Sequence, residues 1–511
     1  MISSIVYASR KNALLKIDLE VSIFFAVMIH DNCSLVQCII DQAVIDLLPD
    51  NVLLEIFYFY KDDNISGIGL TWSWGTLIHV CRRWRYIVFG SPLRLNLRLA
   101  CSSRTPTRRL LDIWPPFPIS IFSLIDRMAD EECLENVMAT LECRDRISFI
   151  YIRYDIGGSA SEKSIAAMHK PFPLLTECRL ISTSKSVSIP VLPETFLGGS
   201  APLLVMFELR GIPFPTFPNF VLSSTRIQYL SLDDIPDSGY ISPEVMATCL
   251  TALPNLRHLS IGFRSPLPRP VQIKPPPLTR AVLPALTRLS FEGVSEYFED
   301  FIARIYAPQS YSLTLTFFMD LVFDVPRLHN FINRTERDNE ARMELTSQEI
   351  KVVLGSRSQF MLGIKCERLD WQLSSMTQIF SQQLALLSHV EHFEIREPDY
   401  SLHRIGWEDD PDMDPSQWLE LFRLLIAVQS LYVSERLVHR VAAALKELTR
   451  DVAMEVLPAL RILSLEGLGL QPSSESVQGA IKSFVTTRQL TNNPVTISWE
   501  PIPRLDVHNR G

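Results

Sequence analysis

Residues 254–261 read Pro-Asn-Leu-Arg-His-Leu-Ser-Ile, and this short stretch carries the pattern that decides the fold. From Leu256 to Ile261, an apolar residue is followed by two others, a second apolar residue, one other and a third apolar residue. The alternation at the end of the unit is typical of a strand with one buried face. Along the chain the same unit begins at Ile147, Leu175, Leu204, Ile227, Leu256, Leu286, Val390, Val428 and Leu460.

The spacing of these units predicts a repeat architecture. The first six start about 23 to 30 residues apart, within the range of repeats that stack one strand and one helix or loop per unit. We therefore predict an α/β fold in which residues 145–511 form an irregular leucine-rich-repeat-like α/β solenoid. A plain α/β domain with a parallel sheet is the alternative. Amphipathic helical segments between strands have apolar faces at Leu134, Val137, Met138 and Leu141 and at Val441, Ala444, Leu445 and Leu448.

The array is predicted to be irregular because parts of it depart from the repeat. The asparagine or cysteine that normally follows the strand of a leucine-rich repeat is missing from the first units after Ile147. Between about 300 and 385 the pattern weakens, and the best match there starts at Ser310, with Leu313 and Leu315 at the next apolar positions.

Composition limits the classes of function. Lysine and arginine number 49 and aspartate and glutamate 57, so the net charge of −8 disfavours a general nucleic-acid or anionic-membrane binder. Only 19 glycines stand beside 34 prolines, which leaves few places where backbone could wrap a phosphate. Nine cysteines show no disulfide spacing, and the apolar run 21–29 is too short to span a membrane. We expect a cytoplasmic or nuclear protein without nucleic-acid or membrane partners.

A small helical module precedes the repeats. Pro49 marks the first turn of a helix, and apolar residues recur at helical spacing from Val52 to Tyr60. A second helical pattern runs from about Trp74 to Val88 and ends at the following glycine and proline.

The two ends of this module resemble an F-box. Residues 48–49 (Leu-Pro) and 56–57 (Ile-Phe) match the opening of the family pattern, and residues 80–84 (Val-Cys-Arg-Arg-Trp) match its close. Residues 91–99 are similar to the strand-like continuation found in F-box proteins of mushroom-forming fungi. The resemblance covers roughly residues 45–100.

The resemblance implies a two-part adaptor. The F-box-like module at residues 45–100 would dock on the Skp-type adaptor of a cullin–RING ubiquitin ligase, and the array at residues 145–511 would bind an unknown protein substrate. Ubiquitin transfer belongs to other subunits in that family, so the resemblance implies a non-catalytic chain without a cofactor. The positions that it assigns to the module core and to adaptor binding are Leu48, Pro49, Leu53, Ile56, Phe57, Val80, Cys81 and Trp84.

Four further segments complete the predicted organisation. Residues 1–44 lack periodicity and are predicted to form a poorly ordered or loosely packed extension, and residues 101–144 are predicted to connect the module to the array. Residues 82–109 contain eight arginines and no acidic residue, which indicates either steering toward an acidic partner or a solvated face. Residues 266–284 contain seven prolines and are predicted to form a rigid, extended excursion.

The sequence predicts no metal site and no catalytic motif. His389 and His392 overlap a predicted strand, on which residues three apart point to opposite faces. The acidic stretch at residues 409–414 lacks the glycine and the final glutamate of a calcium-binding loop. Two other functions stay open. One is a leucine-rich-repeat scaffold that does not assemble a ligase, and the other is a hydrolase or transferase on an α/β fold, which would need a deep polar pocket.

Overall fold

The computed structural model describes most of the chain after residue 47. Its contacts divide the chain into two compact units, residues 1–95 and 96–511. The predicted extension at residues 1–44 lies outside the described residues. The described residues are 48–59, 77, 80–90, 97–114, 116–125, 131–155, 159–183, 190–266, 280–309, 312–318, 325–328, 339–355, 360–366, 369–397, 415–448, 454–466 and 474–498.

The first unit contains two described helices, α1 (Asp50–Phe59) and α2 (Arg82–Gly90). Pro49 comes directly before helix α1, and its carbonyl oxygen accepts hydrogen bonds from the amides of Val52 and Leu53 at 3.0 and 3.1 Å. A proline suits this place because its missing amide hydrogen has no partner in a first turn. The apolar side chains of the two helices and of one residue between them form a small core of Leu53, Phe57, Leu77, Ile87 and Val88.

The second unit is a mixed α/β structure built on one large sheet. Its described strands join into a 16-stranded sheet, and a separate two-stranded sheet is made by β8 and β10. The strands are β1 (Leu97–Cys101), β2 (Ile119–Ile125), β3 (Ile147–Tyr154), β4 (Glu177–Ser182), β5 (Met206–Arg210), β6 (Tyr229–Ile235), β7 (His258–Phe263), β8 (Ala281–Val282), β9 (Arg288–Gly293), β10 (Ile305–Tyr306), β11 (Ser312–Phe318), β12 (Glu340–Leu345), β13 (Glu349–Leu354), β14 (Phe360–Lys365), β15 (His392–Arg396), β16 (Ser430–Val433), β17 (Ile462–Leu465) and β18 (Thr496–Ser498).

Helices lie between these strands in the chain. Helix α4 (Glu131–Glu142) contacts β1 and β2, α8 (Ser295–Arg304) contacts β9, and α12 (Glu435–Lys446) contacts β16. The apolar face predicted on α12 is confirmed, since Val441, Ala444, Leu445 and Leu448 are buried. The face predicted on α4 is confirmed in part: Val137 and Leu141 are buried, whereas Leu134 and Met138 are half-buried. The helices of this unit are α3 (Thr107–Ile113), α4 (Glu131–Glu142), α5 (Ser159–Ala167), α6 (Phe217–Leu222), α7 (Pro243–Leu250), α8 (Ser295–Arg304), α9 (Leu369–Gln382), α10 (Leu384–Leu387), α11 (Pro415–Leu424), α12 (Glu435–Lys446) and α13 (Ser474–Leu490).

The predicted repeat units are confirmed as strands. All nine coincide with a strand of the large sheet, and the weaker match after Ser310 is β11. Neighbouring repeats pair in parallel and in register, so that Leu230 of β6 lies beside Leu259 of β7, which in turn lies beside Leu289 of β9. The three apolar positions of a unit are buried, as at Leu256, Leu259 and Ile261. Stacking of identical positions therefore produces one continuous core.

The sheet begins earlier than the repeat pattern indicates. Strands β1 and β2 lie ahead of residue 145; they pair in parallel with each other, and β2 also pairs in parallel with β3. The segment predicted as a connection, 101–144, therefore contributes a strand and two helices to the second unit. Strand β1 lies in the stretch that resembles the F-box continuation, yet its contacts join it to the second unit. Strand β1 has only the ordinary alternation of a strand. In β2 the apolar spacing of the repeat falls on Ile119, Phe122 and Leu124, but Phe122 and Leu124 are only half-buried. The domain limits at residues 44, 100 and 144 remain predictions from the sequence.

An antiparallel insertion explains the weak pattern after residue 300. Strands β12, β13 and β14 pair antiparallel with one another, and they enter the sheet in the order β11-β14-β13-β12-β15. Because a hairpin needs only the alternation of period two, its strands do not repeat the spacing of the parallel units. Parallel pairing resumes where β12 meets β15.

Candidate functional site

The large sheet presents one face of mostly polar side chains. In each strand the repeat's apolar positions are buried, and the side chains between them point to the other side, here called the open face. On β4 the open-face residues are Glu177, Arg179 and Ile181, which are half-buried, while Cys178 and Leu180 are fully buried. A face of this kind can contact a partner without any disturbance of the core.

Four open-face side chains on β1 to β4 form a stack, here called the Arg–Phe stack. The rings of Phe122 and Phe149 lie 4.9 Å apart between centroids and are nearly parallel, at 28°. The guanidinium carbon of Arg98 lies 5.7 Å from the Phe122 ring centroid, and that of Arg179 lies 5.8 Å from the Phe149 ring centroid. Both cations are within the range of attraction to a ring face. The order across the sheet is therefore cation, ring, ring, cation.

The two ends of the Arg–Phe stack differ in charge compensation. Arg179 lies 3.4 Å from a carboxylate oxygen of Glu177 and 3.9 Å from one of Glu208. Arg98 is exposed, and within the described part of the chain no carboxylate lies within ion-pair distance of it. Burial raises the pKa of Glu208, an effect that the nearby Arg179 guanidinium opposes. The Arg98 end is the uncompensated one.

The middle of the open face carries a stacked pair and a hydrogen-bonded carboxylate. The rings of Tyr229 and His258, on neighbouring strands, lie 4.3 Å apart at 10°. Burial raises the pKa of Tyr229 and lowers that of His258. Asp233 accepts hydrogen bonds from the hydroxyls of Ser231 at 2.5 Å and Ser260 at 2.7 Å. The Asp233 carboxylate and the two serine hydroxyls satisfy one another's hydrogen bonds, so this part of the open face has a fixed arrangement.

Farther along the sheet, the open face neutralises its own charges. The guanidinium of Arg342 bonds with Glu394 at 2.9 Å, and that of Arg396 bonds with Glu344 at 2.9 Å, across the β12–β15 junction. Glu292 also pairs with a lysine of β14, Lys365. Because these charges are paired with one another, this part of the open face exerts little net electrostatic attraction on a charged partner.

In the first unit, the residues that resemble F-box positions divide by exposure. Leu53 and Phe57 are buried in the small core, and Leu48 and Trp84 pack against it. The Trp84 ring lies 4.8 Å from the Phe57 ring, and its amide donates to the Cys81 sulfur at 3.4 Å. Pro49 is exposed, and Ile56 and Cys81 are half-buried. Val80 is 58% exposed, which leaves an apolar side chain free for contact.

The other segments singled out in the sequence fall in varied places. Arg83 belongs to α2, Arg98 to β1 and Arg108 to α3, so the arginine run is distributed over both units; Arg94 lies outside the described residues. His392 opens β15, whereas His389 lies in the turn before it. The acidic stretch 409–414 and residues 267–279 of the proline-rich stretch also lie outside.

Among the described residues, no group of three or more histidine, cysteine, aspartate and glutamate side chains is placed to hold a metal ion. Within the same residues, no helix has the length and apolar character needed to cross a membrane.

Sequence reasoning did not find the Arg–Phe stack, although one signal for it was present. In the first repeat unit, Phe149 and Tyr151 occupy the positions between the buried Ile147, Ile150 and Ile152. Large aromatic side chains at positions that should face solvent indicate a contact surface. The cross-strand partners could not be identified, because they depend on the register of β1, β2 and β4.

Comparisons with known proteins add little to this description. No protein-family model and no curated protein matches the sequence. Among solved structures, the chain is similar to the leucine-rich repeat-containing protein LegL7 from Legionella pneumophila, with 12% identity and a TM-score of 0.24, covering 76% of this chain and 97% of that chain. The parallel α/β repeat fold is therefore assigned from this chain's own strand order and register.

Proposed function

We propose that this chain is the substrate-recognition subunit of a Skp–cullin–F-box ubiquitin ligase. The first unit would dock on the Skp-type adaptor, and the open face of the sheet would bind a target protein. The chain itself would be non-catalytic, without a cofactor, and would act in the cytoplasm or nucleus. Its task is to bring two proteins together.

The observation that carries the proposal is the division of the F-box-like residues into a buried and an exposed set. The buried set, Leu53 and Phe57, joins α1 to α2 through Trp84. The exposed set, Pro49 and Val80, leaves apolar side chains at the solvent boundary. A module this small cannot bury all its apolar side chains, and those that remain exposed are suited to a partner protein.

The open face supports the second half of the proposal. Parallel repeat arrays present extended surfaces that are well suited to protein recognition. The open face offers aromatic rings and arginines, the residue types that are enriched where protein interfaces gain most of their binding energy.

Co-purification with a Skp-type adaptor and a cullin tests the proposal. Val80→Asp places a charge at an exposed apolar position, so we expect wild type to capture the adaptor and this variant to lose capture at least tenfold. Leu222→Asp is the matched control, because Leu222 is 64% exposed in the second unit. Circular dichroism shows whether each variant stays folded.

Three outcomes would count against the proposal. If wild type fails to capture the adaptor where a known F-box protein succeeds, the ligase role falls and the chain is a free-standing binding scaffold. If Val80→Asp and Leu222→Asp behave alike, the first unit is not the docking site. Capture of the adaptor without the cullin would likewise favour a scaffold that assembles no ligase.

A further inference from the structure

We propose that the Arg98 end of the Arg–Phe stack binds an acidic segment of a partner protein that also carries an aromatic or aliphatic side chain. The inference deepens the proposed function and rests on its second half, target binding by the open face. It specifies where on the sheet the target lies and which chemistry it presents.

The first argument is charge. Arg98 on β1 is exposed on the open face, and within the described residues no carboxylate lies within ion-pair distance of it. Arg179, at the other end of the stack, is instead compensated by Glu177 and Glu208. The Arg98 end is therefore the part of the stack that is complementary to a carboxylate.

The second argument is the apolar surface beside that charge. Phe122 and Phe149 are half-buried on the open face, and the Tyr151 ring lies 6.3 Å from the Phe122 ring. The three rings lie side by side and are fixed by strand pairing, so a partner side chain that packs on them meets a preorganised surface. Tyrosine and arginine are also common anchors of protein interfaces.

The third argument separates a protein partner from a nucleic acid. Rings next to guanidinium groups also suit stacked bases. Here, however, Glu177, Glu208 and Asp155 lie on or beside the same strands, where they would repel a continuous phosphate backbone. A short acidic segment can place its carboxylates at the Arg98 edge and its apolar side chain on the rings, away from these three groups.

Fluorescence anisotropy on the full chain tests the inference. The probe is a fluorescein-labelled peptide in which glutamate alternates with phenylalanine and leucine. The comparison probes are the same peptide with lysine for glutamate, the same peptide with alanine for the apolar residues, and labelled oligothymidine. We expect the acidic apolar peptide to bind most tightly and to weaken as salt is raised, because screening reduces the attraction between exposed charges.

Three variants locate the binding. Arg98→Glu is expected to weaken the acidic peptide about tenfold or more, and Phe122→Ala about fivefold or more. Arg226→Glu is the matched control. Arg226 is exposed in the turn before β6, and its substitution makes the same change of charge at a position away from the stack. Thermal melts of all three variants check that the sheet stays intact.

Several results would overturn the inference. These are equal affinity of Arg98→Glu and wild type, equal loss in Arg226→Glu, absence of binding by wild type up to about 1 mM, and tighter binding of oligothymidine than of the acidic peptide. Adaptor capture is measured on the same preparations. Loss of capture with peptide binding retained would remove the ligase role alone, and loss of peptide binding with capture retained would remove this inference alone.

Discussion

The guanidinium of Arg83 bonds with the carboxylate of Asp50 at 2.7 Å and also donates to the carbonyl oxygen of Leu48. It thereby ties α2 to the turn that opens α1, across a gap of more than thirty residues in sequence. In the sequence these residues stand at opposite ends of the stretch that resembles an F-box. The contact explains how Leu48 and Pro49, just before α1, are held in a fixed position relative to α2, which contains Trp84.

Single substitutions of the two residues test this contact. Arg83→Ala is expected to destabilise α1 by about 1–2 kcal/mol, because it removes both an ion pair and a hydrogen bond to backbone. Asp50→Ala should cost no more than about 1 kcal/mol, since Asp50 is more than half exposed. Hydrogen–deuterium exchange of peptides from Asp50 to Phe59 gives the local stability. Equal effects of the two variants would contradict the role given to the Leu48 carbonyl.

Gly211 connects β5 to the turn that follows it, and its conformation excludes other residues. Its φ is +69°, and a Cβ atom there would lie 2.6 Å from the carbonyl oxygen of Ser182. Gly211→Ala is therefore expected to destabilise the second unit by about 2–4 kcal/mol. One cause is the strain of a positive φ in alanine, and the other is the clash of the Cβ atom with a main-chain oxygen that cannot move aside. Chemical denaturation monitored by circular dichroism gives the value.

Gly479 provides the contrast to Gly211. It lies exposed within α13, and no atom lies within 4 Å of a Cβ built on it. Gly479→Ala should raise stability by up to about 1 kcal/mol, the difference in helix propensity. If both substitutions destabilised the protein alike, the loss at Gly211 could not be assigned to its conformation.

The parallel strands of the repeats could be predicted because each has three apolar residues at a fixed spacing in the sequence. Leu230, Leu259 and Leu289 occupy the same place in successive units and become neighbours in the core. The antiparallel hairpin could not be predicted in this way, since the pairing of Ala341 with Leu354 reverses the chain direction and needs only alternation.

The Arg–Phe stack could not be predicted from the sequence for a different reason. Arg98 reaches the ring of Phe122, whereas its partner in strand register is Ser120. The contact is diagonal and depends on side-chain direction as well as on register. In the first unit, the F-box resemblance names a set of residues, but the division of that set into buried and exposed members follows only from the packing of α1 on α2.

Arg488 on α13 is fully buried and hydrogen-bonds with the turn that precedes β17. Its guanidinium donates to the carbonyl oxygens of Leu457, Pro458 and Leu460 at 3.2 to 3.4 Å, just before β17. Burial lowers the pKa of this group. Arg488→Ala would leave buried carbonyl groups without these donors, so we expect a loss of about 3–5 kcal/mol in the free energy of unfolding.

Arg461→Ala is the control for this prediction, because Arg461 is exposed beside the same strand. Its loss should change stability by no more than about 0.5 kcal/mol in the same denaturation measurement. An Arg488→Ala protein as stable as the Arg461→Ala protein would show that solvent or a neighbouring side chain replaces the buried donors.

Cys101 lies in β1 with its thiol buried, and its reactivity reports the opening of the sheet edge. Burial raises the pKa of this thiol to about 12. Because only the thiolate reacts rapidly, we expect iodoacetamide to leave Cys101 unmodified in the native protein at about pH 8 and to modify it when the second unit unfolds. Mass spectrometry of tryptic peptides, across a denaturant series, measures both. Rapid native labelling of Cys101 would contradict the burial of β1.

Glu208 gives the second unit a pH dependence with a definite sign. Its pKa is raised above the ordinary value of 4.5 by burial, which outweighs the attraction of Arg179. A carboxyl group with a raised pKa binds its proton more tightly in the folded chain, so its contribution to stability is present at acid pH and is lost as pH rises through the folded pKa. Glu208→Gln removes this loss, and its melting temperature at about pH 7 should exceed that of wild type.

The advantage of Glu208→Gln should disappear at about pH 4, where the wild-type carboxyl is protonated in the folded chain. Glu177→Gln removes the other carboxylate that faces Arg179, at 3.4 Å, and serves as the control. Thermal melts of the three proteins between these two pH values decide the matter. A Glu208→Gln protein that melts below wild type at neutral pH would mean that the ion pair with Arg179 outweighs the burial of Glu208, so that the carboxylate stabilises the open face.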